Sequence, residues 1–481
     1  MQAVRQHSIV LLISLLYVAF SCYLVWNDQA YLTLAPIGML AVYAAIYYSQ
    51  WSFMTLAFLT PLSINIEEYT EGFGLFIPTE PILFGLMMLL ILRQLQGQTF
   101  EKHIWRHPII WAVGFYLIWT FITSISSTHP MASFKFLLAK LWFVIPILLF
   151  GPSVFKKKER INTFIWLLCI GMVIVISYTL VVHASYAFGE KEGHWVMWPF
   201  FKDHTIYGAT VAFVTPCVFG LYFSKKHEPL TQVTLLIMMA ITVIGLYYSY
   251  SRAAWLTVIA ALMVLAAIKL RIKFSLIAGG LVIVGSLLFF SWDRIQMELE
   301  RNKYEHTTEE FGEKLQSATN VTTDASNLER LNRWSCAIAM FQERPFFGFG
   351  PGTYAFEYAR YQKAENLTII STNFGNMGNA HSEYLGPMAE MGILGLVAML
   401  LIVSAIFYKS ITLYYKWPEK DKQMRTLILT MILALVTYFV HGVLINYLDT
   451  DKASVPIWGF CAAFIALEFA LNSREKNKEL N

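Results

Sequence analysis

The chain has 481 residues, 57% of them hydrophobic and only 14% charged, with a mean hydropathy of +0.52. A soluble domain carries about 25% charged residues, so the composition excludes an ordinary soluble protein and indicates an all-α, polytopic membrane bundle. The net charge of +4 is small, and no nucleic-acid partner is expected.

The N-terminal MQAVRQH leads into an apolar run at 8–26. That run has no A-x-A cleavage site and is read as a first span, not a removed signal. A spanning helix needs about 20 apolar residues. Further runs of suitable character lie at 31–49, 52–66, 75–95, 109–127, 134–152, 162–184, 204–223, 231–250, 253–271, 274–291, 386–408, 425–447 and 455–471. They predict about twelve to fourteen spans, the range reflecting the short run 52–66. Alternate connections are basic, among them RQLQGQTFEKHIWRH, KKKER, SKKHEP and YKSITLYYKWPEKDKQMR. Those between them are acidic or poor in Lys and Arg, which predicts cytoplasmic N- and C-termini. The chain divides into spans at 1–292 (about eleven), a large extracytoplasmic loop at 293–384, three spans at 385–471 and a cytoplasmic tail at 472–481. The five cysteines show neither zinc spacing nor a disulfide framework and are read as packing residues.

YYSYSRAAWL places Arg252 in a tight connection on the extracytoplasmic side. An ionisable group at the membrane is a functional candidate, the alternative being an anchor that snorkels. In the large loop, DASNLERLNRWSCAIAMFQERPFFGFGPGTY reads as a helix capped by Asp324 or Ser326. Its apolar face is Leu328, Leu331, Trp334, Ala337, Ile338 and Phe341, and Pro345 ends it. FGFGPG then makes a tight turn; it lacks the Gly-Lys-Ser/Thr of a phosphate loop. A second short helix at 353–364 carries Arg360, and an ordered polar loop follows at 365–380. Lys303, Lys314 and Lys363 read as solvated charges. Arg330 and Arg333 lie on a helix that must dock on the membrane bundle.

At 379–396 the sequence reads NAHSEYLGPMAEMGILGL, with His381 and Glu383 at the foot of a membrane helix. Arginine forks hold phosphate oxygens, and a neutral histidine can take a proton from a sugar hydroxyl. No Asp-x-Asp pair with a metal role lies on this side, and no nucleotide motif is present. An outward-facing enzyme of this kind needs a membrane-bound donor, such as a sugar on a polyprenyl diphosphate.

Three stretches carry a family resemblance: SRAAW at 251–255, ERLNRW…ERPFFGFGPGTY at 329–354 and NAHSEYL…GILGL at 379–396. Together they resemble the O-antigen ligase and polymerase superfamily of membrane glycosyltransferases over about residues 200–450. The resemblance implies a GT-C-like helical bundle with a large periplasmic loop in a bacterial cytoplasmic membrane. It implies transfer without metal or other cofactor, from an undecaprenyl-diphosphate-linked glycan donor to a glycolipid or glycan acceptor. Arg252 and Arg330 fall on the family's arginine positions and His381 on its histidine; Arg333 is the second choice for the diphosphate. His381 is then the general base. Glu383 either orients it or caps the following helix.

His204 is a candidate for the substrate groove or for a helix cap. Tyr384 and Arg360 are further groove candidates, though Tyr384 and Glu390 also read as packing residues. His441 and Asn446 are expected to satisfy one another or a neighbouring helix, or to face a central cavity. Ligase, polymerase and protein-glycosylating members share these motifs. The reading from another class is a transporter of a small solute or lipid-linked sugar. It is disfavoured by the lack of an internal repeat and by the few charges within spans, Lys135, Lys140 and Glu468 among them.

Overall fold

The computed structural model describes residues 2–67, 74–97, 102–272, 286, 325–362 and 378–479. It is a bundle of helices: α1 (Gln2–Trp26), α2 (Ala35–Tyr47), α3 (Ser49–Leu62), α4 (Thr79–Leu95), the single turn α5 (Lys102–Trp105), α6 (Pro108–Ile125), α7 (Pro130–Val154), α8 (Glu159–Ala184), α9 (His204–Ser224), α10 (Pro229–Tyr247) and α11 (Arg252–Lys269). After the large loop's α12 (Ala325–Glu343) and α13 (Tyr354–Glu357) come α14 (Leu385–Lys416), α15 (Lys422–His441) and α16 (Asp451–Glu479). Among the described residues nine helices are long and apolar enough to cross a membrane. The sheet found among them is a two-stranded antiparallel pair, Ile64–Asn65 with Phe76–Ile77.

Each expected span coincides with a helix, except 274–291, which lies outside the described residues along with Asp324, Lys303, Lys314, Lys363 and most of 365–380. The runs 31–49 and 52–66 make shorter helices than expected. The chain breaks at Tyr48 (φ −116°, ψ 38°), leaving α2 with 13 residues and α3 with 14. At about 1.5 Å per residue neither covers a 30 Å hydrocarbon core. The buried side of α3, including Phe53, Leu56 and Ala57, packs on α8.

Helices α9, α15 and α16 form the centre. The apolar stretch of α16 is 83% buried, against 22% for the peripheral α10. Apolar side chains such as Leu236, Ile237 and Ile244 on α10 face outward, as a lipid-facing helix requires.

The large-loop helix α12 docks on α14 by a face rotated from the one its apolar spacing predicts, with Ala337 common to both. Asn332, Arg333, Cys336, Ala337 and Met340 are buried, while Ile338 is 44% exposed. Arg333 tolerates burial because Glu329, one turn earlier, pairs with it at 2.7 Å. Below α12 the FGFGPG turn is built into a break in α14. Gly392 there has φ +67° and ψ −163°, and a Cβ on it would lie 2.2 Å from the Phe346 carbonyl oxygen. The break frees two carbonyls: Gly350 N–H donates to Glu390 O (2.7 Å) and Trp119 Nε1 to Met391 O (2.8 Å). Gly350 itself has φ +112° and lies so close to Ser127 that no side chain fits. The Glu390 carboxylate accepts from Tyr354 N–H at 2.9 Å, which makes Glu390 a clamp for the turn.

Candidate active site

Three elements meet at the end of the bundle where α14 begins. The first is the connection from α10 to α11. Tyr250 adopts φ +49° and Ser251 Oγ caps α11 by accepting from Ala254 N–H (3.4 Å). Arg252 is thereby the first residue of α11. The second is α12, which carries Arg330. The third is the turn before α14, in which His381 adopts φ +47°. That left-handed conformation is uncommon for a residue with a side chain. It is held by Asn379 Oδ1, which accepts from His381 N–H (3.0 Å), and by Trp334 Nε1, which donates to His381 O (3.4 Å). Trp334, four residues after Arg330, therefore ties the arginine helix to the histidine turn.

Arg330 is the electrostatic centre. Its charge acts on Arg252, His204, His381 and His441. Burial and the neighbouring Arg252 hold its guanidinium below the ordinary arginine value, and Asp203 opposes them. His381 is pushed down to about 3, first by burial and then by Arg333 and Arg330. Its imidazole is therefore neutral near pH 7 and can accept a proton.

His204 does not cap α9. Asp203 does, its Oδ1 accepting from Thr205 N–H (2.8 Å) and Ile206 N–H (2.9 Å). The His204 ring instead stacks on His194, with centroids 4.1 Å apart. It stands within range of Arg252 and Arg330, as a groove residue would.

Four expectations change. Glu383 neither orients His381 nor caps α14; Ser382 Oγ accepts from the Tyr384 and Leu385 amides (both 3.3 Å). The buried Glu383 carboxylate accepts from Tyr438 Oη (2.7 Å) and from the amides of Tyr447 and Leu448 (both 2.8 Å). It pins the α15–α16 turn, beside the ion pair of Lys140 and Asp449. Burial and Asp449 hold its carboxyl above the usual range, against Lys140. Arg333 is committed to the docking of α12: it pairs with Glu329, donates to Asn379 O (3.1 Å) and lies over the Tyr358 ring. Arg360 pairs with Glu357 (3.0 Å) and Glu343 (3.6 Å) and lies over Phe349, on the outside of the same assembly. His441 and Asn446 do not satisfy one another: neither ring nitrogen of His441 nor Asn446 Oδ1 makes a hydrogen bond. Tyr384 donates to Phe439 O (2.9 Å), which anchors α14 on α15.

The pairing of Glu329 with Arg333 was visible in the sequence, because an acid four residues before an arginine on a helix is a standard partner. The roles of Glu383 and His441 had no such local signal; their surroundings are assembled from segments more than 50 residues away. Among the described residues, no group of three or more His, Cys, Asp or Glu side chains is arranged to hold a metal ion.

Residues 237–400 match the protein family described as O-antigen ligase. The matched stretch contains Arg252, Arg330, Arg333, His381 and Glu383; His204 and His441 lie outside it. A Haemophilus influenzae protein described only as uncharacterized is 30% identical over 80 residues, which is 16% of this chain and 19% of that relative. The chain thus aligns with about a fifth of the relative's length. Carried on an all-α bundle of membrane-spanning type, the match at 237–400, about a third of the chain, supports a relationship to the O-antigen ligase and polymerase superfamily.

Proposed function

We propose that the protein is a glycosyltransferase of cell-surface polysaccharide synthesis. It moves a glycan from an undecaprenyl-diphosphate carrier to an acceptor hydroxyl, on the extracytoplasmic face of a bacterial cytoplasmic membrane. The observation that carries this reading is the convergence of Arg252, Arg330 and the neutral His381 from three separate elements. His381 takes the proton of the acceptor hydroxyl. The oxygen attacks the anomeric carbon, whose bond to the diphosphate oxygen breaks, and the lipid diphosphate leaves with the electron pair. Arg252 and Arg330 hold that diphosphate and stabilise its growing charge. Arg252 is the first residue of α11, whose N-terminus adds the positive end of its dipole. Direct displacement inverts the anomeric carbon and needs no metal.

The test is glycan transfer in proteoliposomes given a lipid-diphosphate-linked oligosaccharide and EDTA. Wild type transfers. His381→Ala loses about 10² to 10⁴ in rate, and Arg252→Ala and Arg330→Ala lose about 10² to 10³ each. A His381→Ala protein as fast as wild type sinks the mechanism. The labelled acceptor separates a ligase, which modifies a glycolipid core, from a polymerase, which extends a lipid-linked glycan. Vesicles that accumulate solute but transfer no glycan replace the reading with a carrier.

A further inference from the structure

His441 ends α15 and is fully buried. Its neighbour Gly442 accepts a hydrogen bond from Glu383 N–H at 2.7 Å, so the end of α15 is stitched to the turn that carries His381. Despite complete burial, neither Nδ1 nor Nε2 has a hydrogen-bond partner. Buried imidazoles are normally satisfied, and each orphan in a folded protein calls for a reason. Other buried polar atoms also lack a partner, His183 Nδ1 among them, but His107 bonds Glu468 at 2.9 Å and His183 bonds the Gly189 carbonyl at 2.8 Å through one ring nitrogen, whereas His441 bonds through neither. His441 stands within electrostatic range of Arg330. A guanidinium has only donors and cannot satisfy an imidazole N–H. A group accepting hydrogen bonds from Arg330 could also accept one from His441.

Resting on the reading of Arg252 and Arg330 as a diphosphate clamp, we propose that His441 is a third member of that clamp. It donates a ring N–H to a phosphate oxygen held by Arg330. The residue lies beyond the stretch that matches the family. It stands at the end of α15, so the phosphate is gripped from α11, α12 and α15 together. An imidazole N–H adds a directed contact to the phosphate oxygen.

The experiment measures binding of farnesyl diphosphate, with farnesol as control, to the purified full chain in detergent, alongside its melting temperature. His441→Phe should weaken farnesyl diphosphate about tenfold or more and leave farnesol unchanged. It should also hold or raise the melting temperature, because an orphan polar group has been replaced by an apolar one of similar shape. His441→Asn or His441→Gln, which restore an N–H, should recover part of the affinity. Wild-type affinity in folded His441→Phe overturns the proposal. So does a weakened affinity that comes with a lower melting temperature and no recovery in the amide variants, since that marks a structural role. If Arg330→Ala binds farnesyl diphosphate like wild type, the clamp itself fails, and the part assigned to His441 fails with it.

Discussion

Two clusters of titratable side chains mark the two ends of α14, and they are built on opposite principles. At its C-terminal end, Lys409 bonds Glu468 of α16 at 2.5 Å, and Glu468 bonds His107 at 2.9 Å. Charge is balanced there, and each group is another's partner. At its N-terminal end, Arg252 and Arg330 repel one another, three histidines feel the field of Arg330, and His441 has no hydrogen bond. The first cluster is complete as it stands and serves to hold helices together. In the proposed mechanism the diphosphate of the donor brings negative charge to the second, beyond that of Asp203 and Glu190. The same contrast recurs on a smaller scale within α12. Arg333 has its acid, its carbonyl and its aromatic ring, whereas Arg330, three residues earlier, feels Arg252 against its charge and Asp203 in favour of it.

The sharpest way to break this comparison is to remove the two arginines of α12 separately. Arg333→Ala strands Glu329, only 4% exposed, and should cost about 3–5 kcal/mol of stability, while transfer per folded molecule falls much less than in Arg330→Ala. Arg330→Ala should do the reverse: a large loss of transfer with little change in melting temperature. A folded Arg333→Ala protein without activity would erase the distinction. The complete cluster offers a milder test. Glu468→Ala removes the shared partner of Lys409 and His107, which is 25% exposed, and should lower stability by about 1–3 kcal/mol. Its transfer rate should be unchanged. A transfer defect in that variant, measured with the same lipid-linked donor, would make the two ends of α14 parts of one machine.

The spans were legible because about 20 consecutive apolar residues have few other uses. Arg252, Arg330 and His381 were legible as a set because their motifs keep order and spacing. What local pattern could not show was contact across the chain. The break at Gly392 looks like uninterrupted helix in EMGILGL; it exists because Pro345 O and Gly350 N–H supply the hydrogen bonds that α14 gives up (Ile393 N–H to Pro345 O, 2.8 Å). The spacing of Leu331, Trp334, Ala337 and Ile338 marked a face that docks only in part: Ala337 is buried, but Ile338 is exposed. A buried ion pair and a cation over Tyr358 outweighed simple apolarity. Glu383 looked catalytic beside His381, but consecutive side chains in an irregular turn diverge, and its partners come from Tyr438, Tyr447 and Leu448.

The smallest expected effect concerns pH. Burial, Arg333 and Arg330 push His381 down to about 3, against an ordinary value of about 6.5. The active form of the base is the neutral one, so lowering its pKa extends activity to lower pH. For kcat/KM, which reports the free enzyme, the acid limb should lie well below 6.5. At pH 5.5 an ordinary histidine would be about nine-tenths protonated and the rate down about tenfold. Here the loss should be less than about twofold. Bound donor brings negative charge beside the arginines and favours the protonated ring. The acid limb of kcat should therefore lie at higher pH than that of kcat/KM. The two profiles, measured with one donor from pH 5 to 8, check both statements. Coincident limbs at 6.5 would mean that His381 sits in water and away from the arginines, and the proposed site would lose its base.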